Sequence, residues 1–278
     1  MQISFSILLP TYKSRFLREC IDSVLSQTYS NFELIIVNDS SPEDIDSIIH
    51  SYNDPRVKYY KNEQNYGAKR LVQQWNYCLS LAYNDYVLCI GDDDILLPNC
   101  LDVYAQLIKQ HPETVILHGQ TDIIDQEGKL VCHTMPRPNY ESAMSMLYHR
   151  VVLGRQQFIG DFCFNRKELI AQGGFFDLPF AWGSDDITAL RMAEEKGIIN
   201  SQEVVFAYRD HSGSITRHSY IWGKIHAILL EAKWKHDFLK RPVQNAQDAI
   251  YRRQIKQKLP LHTLRKIYYQ VCNACRNK

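Results

Sequence analysis

The first 120 residues switch repeatedly between two apolar periods. Ile3 to Leu9 is an apolar run of strand length. Phe16 to Gln27 then places Phe16, Leu17, Cys20, Ile21, Val24 and Leu25 at helical spacing, and Phe32 to Val37 is strand-like again. Asp44 to Tyr52 reads as a helix, Val57 to Tyr60 as a short strand, Leu71 to Ala82 as a helix and Tyr86 to Ile90 as a buried strand. Such alternation predicts an α/β fold with a mostly parallel sheet and helices on both faces. Segments 121 to 157 and 217 to 278 carry no comparably clear period.

In sheets of this kind ligands bind beyond the carboxyl ends of the strands. Three of those ends are polar: Pro10-Thr11-Tyr12, Asn38-Asp39-Ser40-Ser41 and Gly91-Asp92-Asp93-Asp94. They should converge on one crevice. Three neighbouring carboxylates at the end of a buried strand repel one another and lose hydration, an arrangement a divalent cation relieves. Asp94 capping the helix after Pro98 is the competing explanation. The turn Pro10 to Arg15 holds no glycine, so neither the dinucleotide fingerprint GxGxxG nor a P-loop is present there. A carboxylate at the second strand end to bond a base or ribose, with an Asp cluster to hold a metal on phosphates, describes a nucleotide-diphosphate site.

Composition adds limits. The 278 residues, 45% of them hydrophobic, are ample for a core, and no run nears the roughly 18 apolar residues of a membrane span. The N-terminus reads as a strand rather than a signal peptide, so a cytoplasmic location is expected. The eight cysteines mostly lie in apolar segments and read as reduced, buried thiols; Cys272 and Cys275 form a CxxC without a second pair. The net charge of +1 hides an asymmetry. From Lys233 onward 12 Lys or Arg face two Asp, a balance of +10, which leaves −9 on the first 232 residues. A basic, loosely amphipathic tail suits either the inner face of an anionic membrane or packing on the acidic body; nucleic acid is not an expected partner.

Several ordered motifs together resemble the family 2 glycosyltransferases of the GT-A fold. They are Ile7 to Tyr12, Ser23 to Ser41, Asn65-Tyr66-Gly67 and the Asp cluster before Ile95-Leu96-Leu97-Pro98, with weaker matches to about residue 220. The resemblance implies a GT-A domain over 1–220, with a nucleotide-binding half (1–120) and an acceptor-binding half (121–220), followed by a basic helical extension over 221–278. It implies that Thr11 and Asp39, flanked by Pro10, Tyr12, Asn65 and Gly67, hold base and ribose. Asp94 should ligate Mn2+ or Mg2+, with Asp92 or Asp93 near ribose and phosphates. The chain departs from the common Asp-x-Asp-Asp pattern because Gly91 stands at its first Asp. Val72-Gln73 stand where many relatives have Arg-Asn, which leaves Lys69 or Arg70 to supply positive charge.

The catalytic base should come from Trp182-Gly183-Ser184-Asp185-Asp186, which resembles the acidic pair that opens a helix in this family. Spacing to Arg191 favours Asp185, the two-acid pattern favours Asp186, and a plain helix cap, by either acid or by Ser184, is the competing explanation. Gly173-Gly174-Phe175-Phe176-Asp177 resembles the loop that approaches donor sugar and acceptor, together with Trp182; a helix C-cap is its simpler explanation. His211, within Ala207 to Thr216, resembles a histidine near the metal or diphosphate. Tyr140, Tyr148, Phe158, Trp182 and Tyr220 are candidates to stack on sugar rings. The implied reaction is an inverting transfer from a nucleotide sugar, UDP-linked by expectation, to a saccharide or lipid-linked acceptor of a surface glycan. A sugar-1-phosphate nucleotidyltransferase, which would show a glycine-rich basic loop after the first strand, and an inactive nucleotide-sugar-binding protein are the alternatives.

Overall fold

The computed structural model describes residues 2–211, 213 and 221–276, the last four as backbone only. Tyr220, and Ser214 to Thr216 beside His211, lie outside the described residues. Every element expected before residue 100 is present, with ends shifted by no more than two residues: β1 (Phe5–Thr11), α1 (Leu17–Leu25), β2 (Phe32–Asn38), α2 (Ile45–His50), β3 (Val57–Lys61), α3 (Leu71–Ser80) and β4 (Tyr86–Cys89). Then follow β5 (Ile95–Leu96), α4 (Cys100–Gln110), β6 (Ile116–Ile124), β7 (Leu130–His133), β8 (Tyr140–Glu141), α5 (Ala143–Val151), β9 (Phe162–Asn165), α6 (Arg166–Ala171), α7 (Ser184–Met192), β10 (Ile198–Arg209), α8 (Ile221–Phe238) and α9 (Ala246–Arg276).

The strands form one sheet in the order β3-β2-β1-β4-β9-β6-β10-β5, with β7 on β6 and β8 on β10. The four longest ladders, β1 with β2, β2 with β3, β1 with β4 and β6 with β10, are parallel. The antiparallel strand β9 sits between β4 and β6 and separates the two parallel groups. From β1 the chain goes out to β2 and β3 on one side and returns to place β4 on the other. Connections therefore diverge between β1 and β4, and a crevice opens above their carboxyl ends.

Period-2 alternation explains why both faces are covered. Ile7, Leu9, Leu34, Ile36, Leu88 and Ile90 pack with α1, α2 and α4, whereas Leu8, Ile35, Val37, Val87 and Cys89 join α3, α5 and α7 on the other face. Each such side chain contributes roughly 1.5–3 kcal/mol by leaving water. Phe238, Leu239, Ile255 and Leu259 belong to that second cluster, so α8 and α9 are fastened to the core of the sheet. Lys235 is buried there and Lys266 half-buried, so part of the basic tail turns inward. Five cysteines, Cys20, Cys78, Cys89, Cys100 and Cys163, are free buried thiols as expected, while Cys132 on β7 is exposed. Asp94 does not cap the following helix: α4 begins at Cys100, after Asn99.

Candidate functional site

A crevice of about 460 Å3 opens at the divergence of β1 and β4. Its wall includes Pro10 to Lys13, Asp39, Asn65, Gly67 and Gly91 to Asp94. The three polar strand ends thus meet. Thr11 Oγ1, Tyr12 N and Lys13 N all donate to Asp92 Oδ2, at 3.1, 2.7 and 2.9 Å, so Asp92 clasps the end of β1. Burial and repulsion from Asp93 still push its carboxyl up to about 6.

The short strand β5 explains the rest of the cluster. Leu96 and Ile95 pair with Phe206 and Ala207 of β10, which brings the end of β10 over the aspartates. Arg209 N then donates to Asp94 Oδ1 at 3.0 Å, Arg209 Nε donates to the Asp93 carbonyl at 2.9 Å, and His211 Nε2 lies 2.8 Å from Asp93 Oδ2. Asp94 is buried, and desolvation together with Asp93 lifts its proton affinity well above that of an ordinary carboxyl. A Cβ on Gly91 would stand 2.8 Å from Asp93 Oδ1 and 3.0 Å from Asp94 Oδ2. The missing first Asp of the family pattern thus leaves room for the two carboxylates behind it. His211 is packed on Asp93 and Phe16 rather than in the crevice wall.

Asp39 is nearly buried and holds the loop opposite. Its Oδ1 accepts from Asn62 Nδ2 and Tyr66 N, both at 2.8 Å, and its Oδ2 accepts from Gly67 N at 3.0 Å. Three of about four lone-pair sites are used, and Asp39 itself is part of the crevice wall. Ser40 beside it has φ 52°, and Gly67 has φ 70°. Left-handed backbone at a non-glycine residue costs roughly 1–3 kcal/mol. Arg70 turns away from the crevice: its guanidinium bonds the carbonyls of Asn65 and Tyr66 at 3.0 Å. Sequence reading missed Trp75, Gln74, Ile159, Tyr208 and Lys13 in the wall. Gln74 had a signal, a polar residue on the buried face of α3, where it accepts from Asn62 at 2.7 Å.

Asp185 and Asp186 open α7 outside that wall, and the two differ. Neither they nor Ser184 caps the helix; its N-cap is Gly183 at φ 85°, with no side-chain cap bond. Asp186 is buried and bonded by Arg150, Gln157 and Lys235, and Arg150 and Lys235 hold it well below the usual carboxylate range. Asp185 is half-buried; desolvation and the adjacent Asp186 push it up to about 7. The preceding residues Phe180 and Ala181 have φ 61° and 55°. Gly173 and Gly174 close α6 as a C-cap, with Gly174 N donating to Leu169 O at 2.8 Å. A Cβ on Gly174 would meet Asn76 Oδ1 at 2.3 Å, and Asn76 bonds Phe175 N and O, so this loop is seated on α3 beside Trp75. Trp182 lies under Lys224 Nζ, 5.0 Å from the ring centre. Of the remaining aromatic candidates, Phe158 stacks at 3.9 Å on Tyr208 of the crevice wall, Tyr148 is already stacked on Tyr251 at 4.5 Å, and Tyr140 is exposed on β8.

Among the described residues no three His, Cys, Asp or Glu side chains form a ready-made metal cage, and no helix is long and apolar enough to cross a membrane.

Comparison with known proteins agrees with this architecture. By fold, the chain is similar to S. aureus TarS (residues 1–349) crystallised with UDP-GlcNAc, at 18% identity and TM-score 0.70 over 88% of this chain and 69% of that one. It is also similar to the mannosyltransferase PcManGT of Pyrobaculum calidifontis in complex with GDP-Man and Mn2+, at 14% identity and TM-score 0.65 over 99% and 75% of the two chains. In sequence it is 31% identical over 204 residues to the putative colanic acid biosynthesis glycosyl transferase WcaA of Escherichia coli K12, covering 69% of this chain and 67% of that protein. The chain spans about two thirds of the length of the first curated relatives it matches. The pattern described as glycosyl transferase family 2 matches residues 6–174, from the second residue of β1 through the glycine pair after α6. That match takes in the carboxyl ends of β1, β2 and β4 that meet at the crevice, and the chain belongs to glycosyl transferase family 2.

Proposed function

We propose that this protein transfers a sugar from a nucleotide sugar, UDP-linked in our reading, to a saccharide or lipid-linked acceptor in surface-glycan synthesis. The observation that carries this reading is the convergence of Thr11, Asp39 and Asp92 to Asp94 on one crevice. The remaining lone pair of Asp39 suits a base or ribose donor, and the similar folds of TarS and PcManGT are seen in complex with UDP-GlcNAc and with GDP-Man. Half-buried and buried carboxylates without a closed cage fit Mn2+ or Mg2+, which take one or two carboxylates plus substrate phosphates. Asp94, with Asp93 beside it, would hold the metal, and its chemistry is to neutralise charge on the departing diphosphate.

Asp185 serves as the base. A carboxyl near 7 accepts a proton from the acceptor hydroxyl at neutral pH far better than the firmly ionised, fully bonded Asp186. The hydroxyl attacks the anomeric carbon from the face opposite the diphosphate, which inverts configuration. Along α9, Arg253, Lys256, Lys258 and Arg265 are exposed together with Leu261, Leu264 and Tyr268, and no acid follows Asp248, a surface suited to anionic lipid.

The test is release of nucleoside diphosphate from a panel of UDP- and GDP-linked sugars with Mn2+ or Mg2+. Turnover of one or more, lost in folded Asp94→Ala, supports the reading; no turnover and no nucleotide binding across the panel contradicts it.

A further inference from the structure

Asp186 is held from three directions. Arg150 Nε on α5 donates to both its oxygens at 2.9 and 3.0 Å, Gln157 Nε2 donates at 2.8 Å, and Lys235 Nζ on α8 donates at 3.1 Å. Lys235 also pairs with Glu231 on its own helix, and the other oxygen of Glu231 takes Lys266 Nζ of α9 at 2.5 Å. A continuous charged path thus runs from the first turn of α7 to the second C-terminal helix. The packing around it is close: a Cβ on Gly183 would stand 2.7 Å from Glu231 Cδ, and one on Gly223 would stand 2.1 Å from Phe180 Cε2. The base of α8 therefore presses on the left-handed turn that leads into Asp185.

Stability alone is a weak reason to keep such a path, because desolvating the charges offsets most of their attraction and apolar residues of equal volume often do as well. Geometry is the better reason, since the path fixes the residue next to the half-buried Asp185. We propose that Lys266 and Lys235, through Glu231, form a positioning clamp on Asp186 that orients Asp185 for proton abstraction. The inference rests on the reading of Asp185 as the base. Neither lysine touches the reacting atoms, and both act through Asp186 and Glu231.

The charged groups near Asp185 are Asp186 on α7, Arg150 on α5, Glu231 and Lys235 on α8, and Lys266 and His262 on α9. Burial and the two lysines hold His262 down at about 4, so it is neutral at working pH. Loss of Lys266 leaves Glu231 with one fewer cation, and its charge then makes Asp185 harder to deprotonate. The acid limb of the rate profile should move to higher pH.

The experiment compares wild type, Lys266→Met, Lys266→Arg, the double variant Glu231→Gln with Lys266→Met, and Asp185→Asn. It uses the nucleotide sugar identified by the panel, with water as acceptor. Lys266→Met should lower kcat about tenfold with KM for the donor unchanged and the acid limb raised, and Lys266→Arg should restore both. The double variant removes the pair without stranding a buried charge; it should stay folded and lose a similar factor in kcat. A folded double variant with wild-type kcat and pH profile, in a series where Asp185→Asn is inactive, overturns the clamp. Full activity in Asp185→Asn overturns the base assignment itself.

Discussion

The two halves of the site are built differently. The proposed nucleotide side is made of strand ends: Thr11 ends β1, Asp39 and Asp92 follow β2 and β4, and parallel pairing brings them together almost regardless of side-chain detail. The proposed base side is assembled from single residues on α5, α7, α8 and α9, joined by buried charge. Backbone topology alone can make the first kind of site. The second kind depends on each long side chain finding its partner, and its failure modes are electrostatic.

Asp185→Asn should separate the halves most sharply. Transfer should fall about a thousandfold, within the range of general-base loss, while UDP affinity in the crevice stays at the wild-type level; steady-state rates and calorimetry read both. Asp186→Asn should act on the fold as well. It leaves Arg150 without its buried counter-ion and Lys235 with Glu231 alone, and should cost about 3 kcal/mol, read by urea unfolding. On the nucleotide side, Asp39→Asn weakens three hydrogen bonds to loop 62–67 and should reduce UDP affinity about tenfold, with stability changed by only about 1 kcal/mol.

The smallest effect is on pH. Asp185 is raised to about 7, so the deprotonated form that the proposed base requires is lost as pH falls through that value. The rate should be half-maximal near pH 7 and drop about tenfold for each further unit of acid. Because its folded value lies above the ordinary carboxyl value, the same group stabilises the fold below about pH 4 and withdraws that contribution as pH rises toward 7.

The same contrast governs what the sequence disclosed. Periodicity located β1 to β4 and their helices, and contiguous motifs placed Thr11, Asp39 and the Asp triplet, because local spacing and a parallel sheet suffice to bring them together. The strand β9 between the parallel groups was illegible, since Phe162 to Asn165 is too short for its period to declare a direction. Asp185 and Asp186 were ambiguous as neighbours in sequence. Arg150, Gln157 and Lys235, 36, 29 and 49 residues from Asp186, distinguish them. Lys266 read as one cation of a basic tail, and nothing local marks it as the one paired with Glu231. Arg70 offered a charge at a plausible spacing, yet its fork is spent on the carbonyls of Asn65 and Tyr66.

In the proposed function the crevice above β1 and β4 grips a nucleoside diphosphate through a metal held by Asp94. Titration calorimetry of UDP with and without Mn2+, on wild type and folded Asp94→Ala, addresses it directly. Mn2+ should strengthen UDP binding at least about tenfold in wild type and leave it unchanged in the variant. Equal UDP affinity in all four titrations would contradict it.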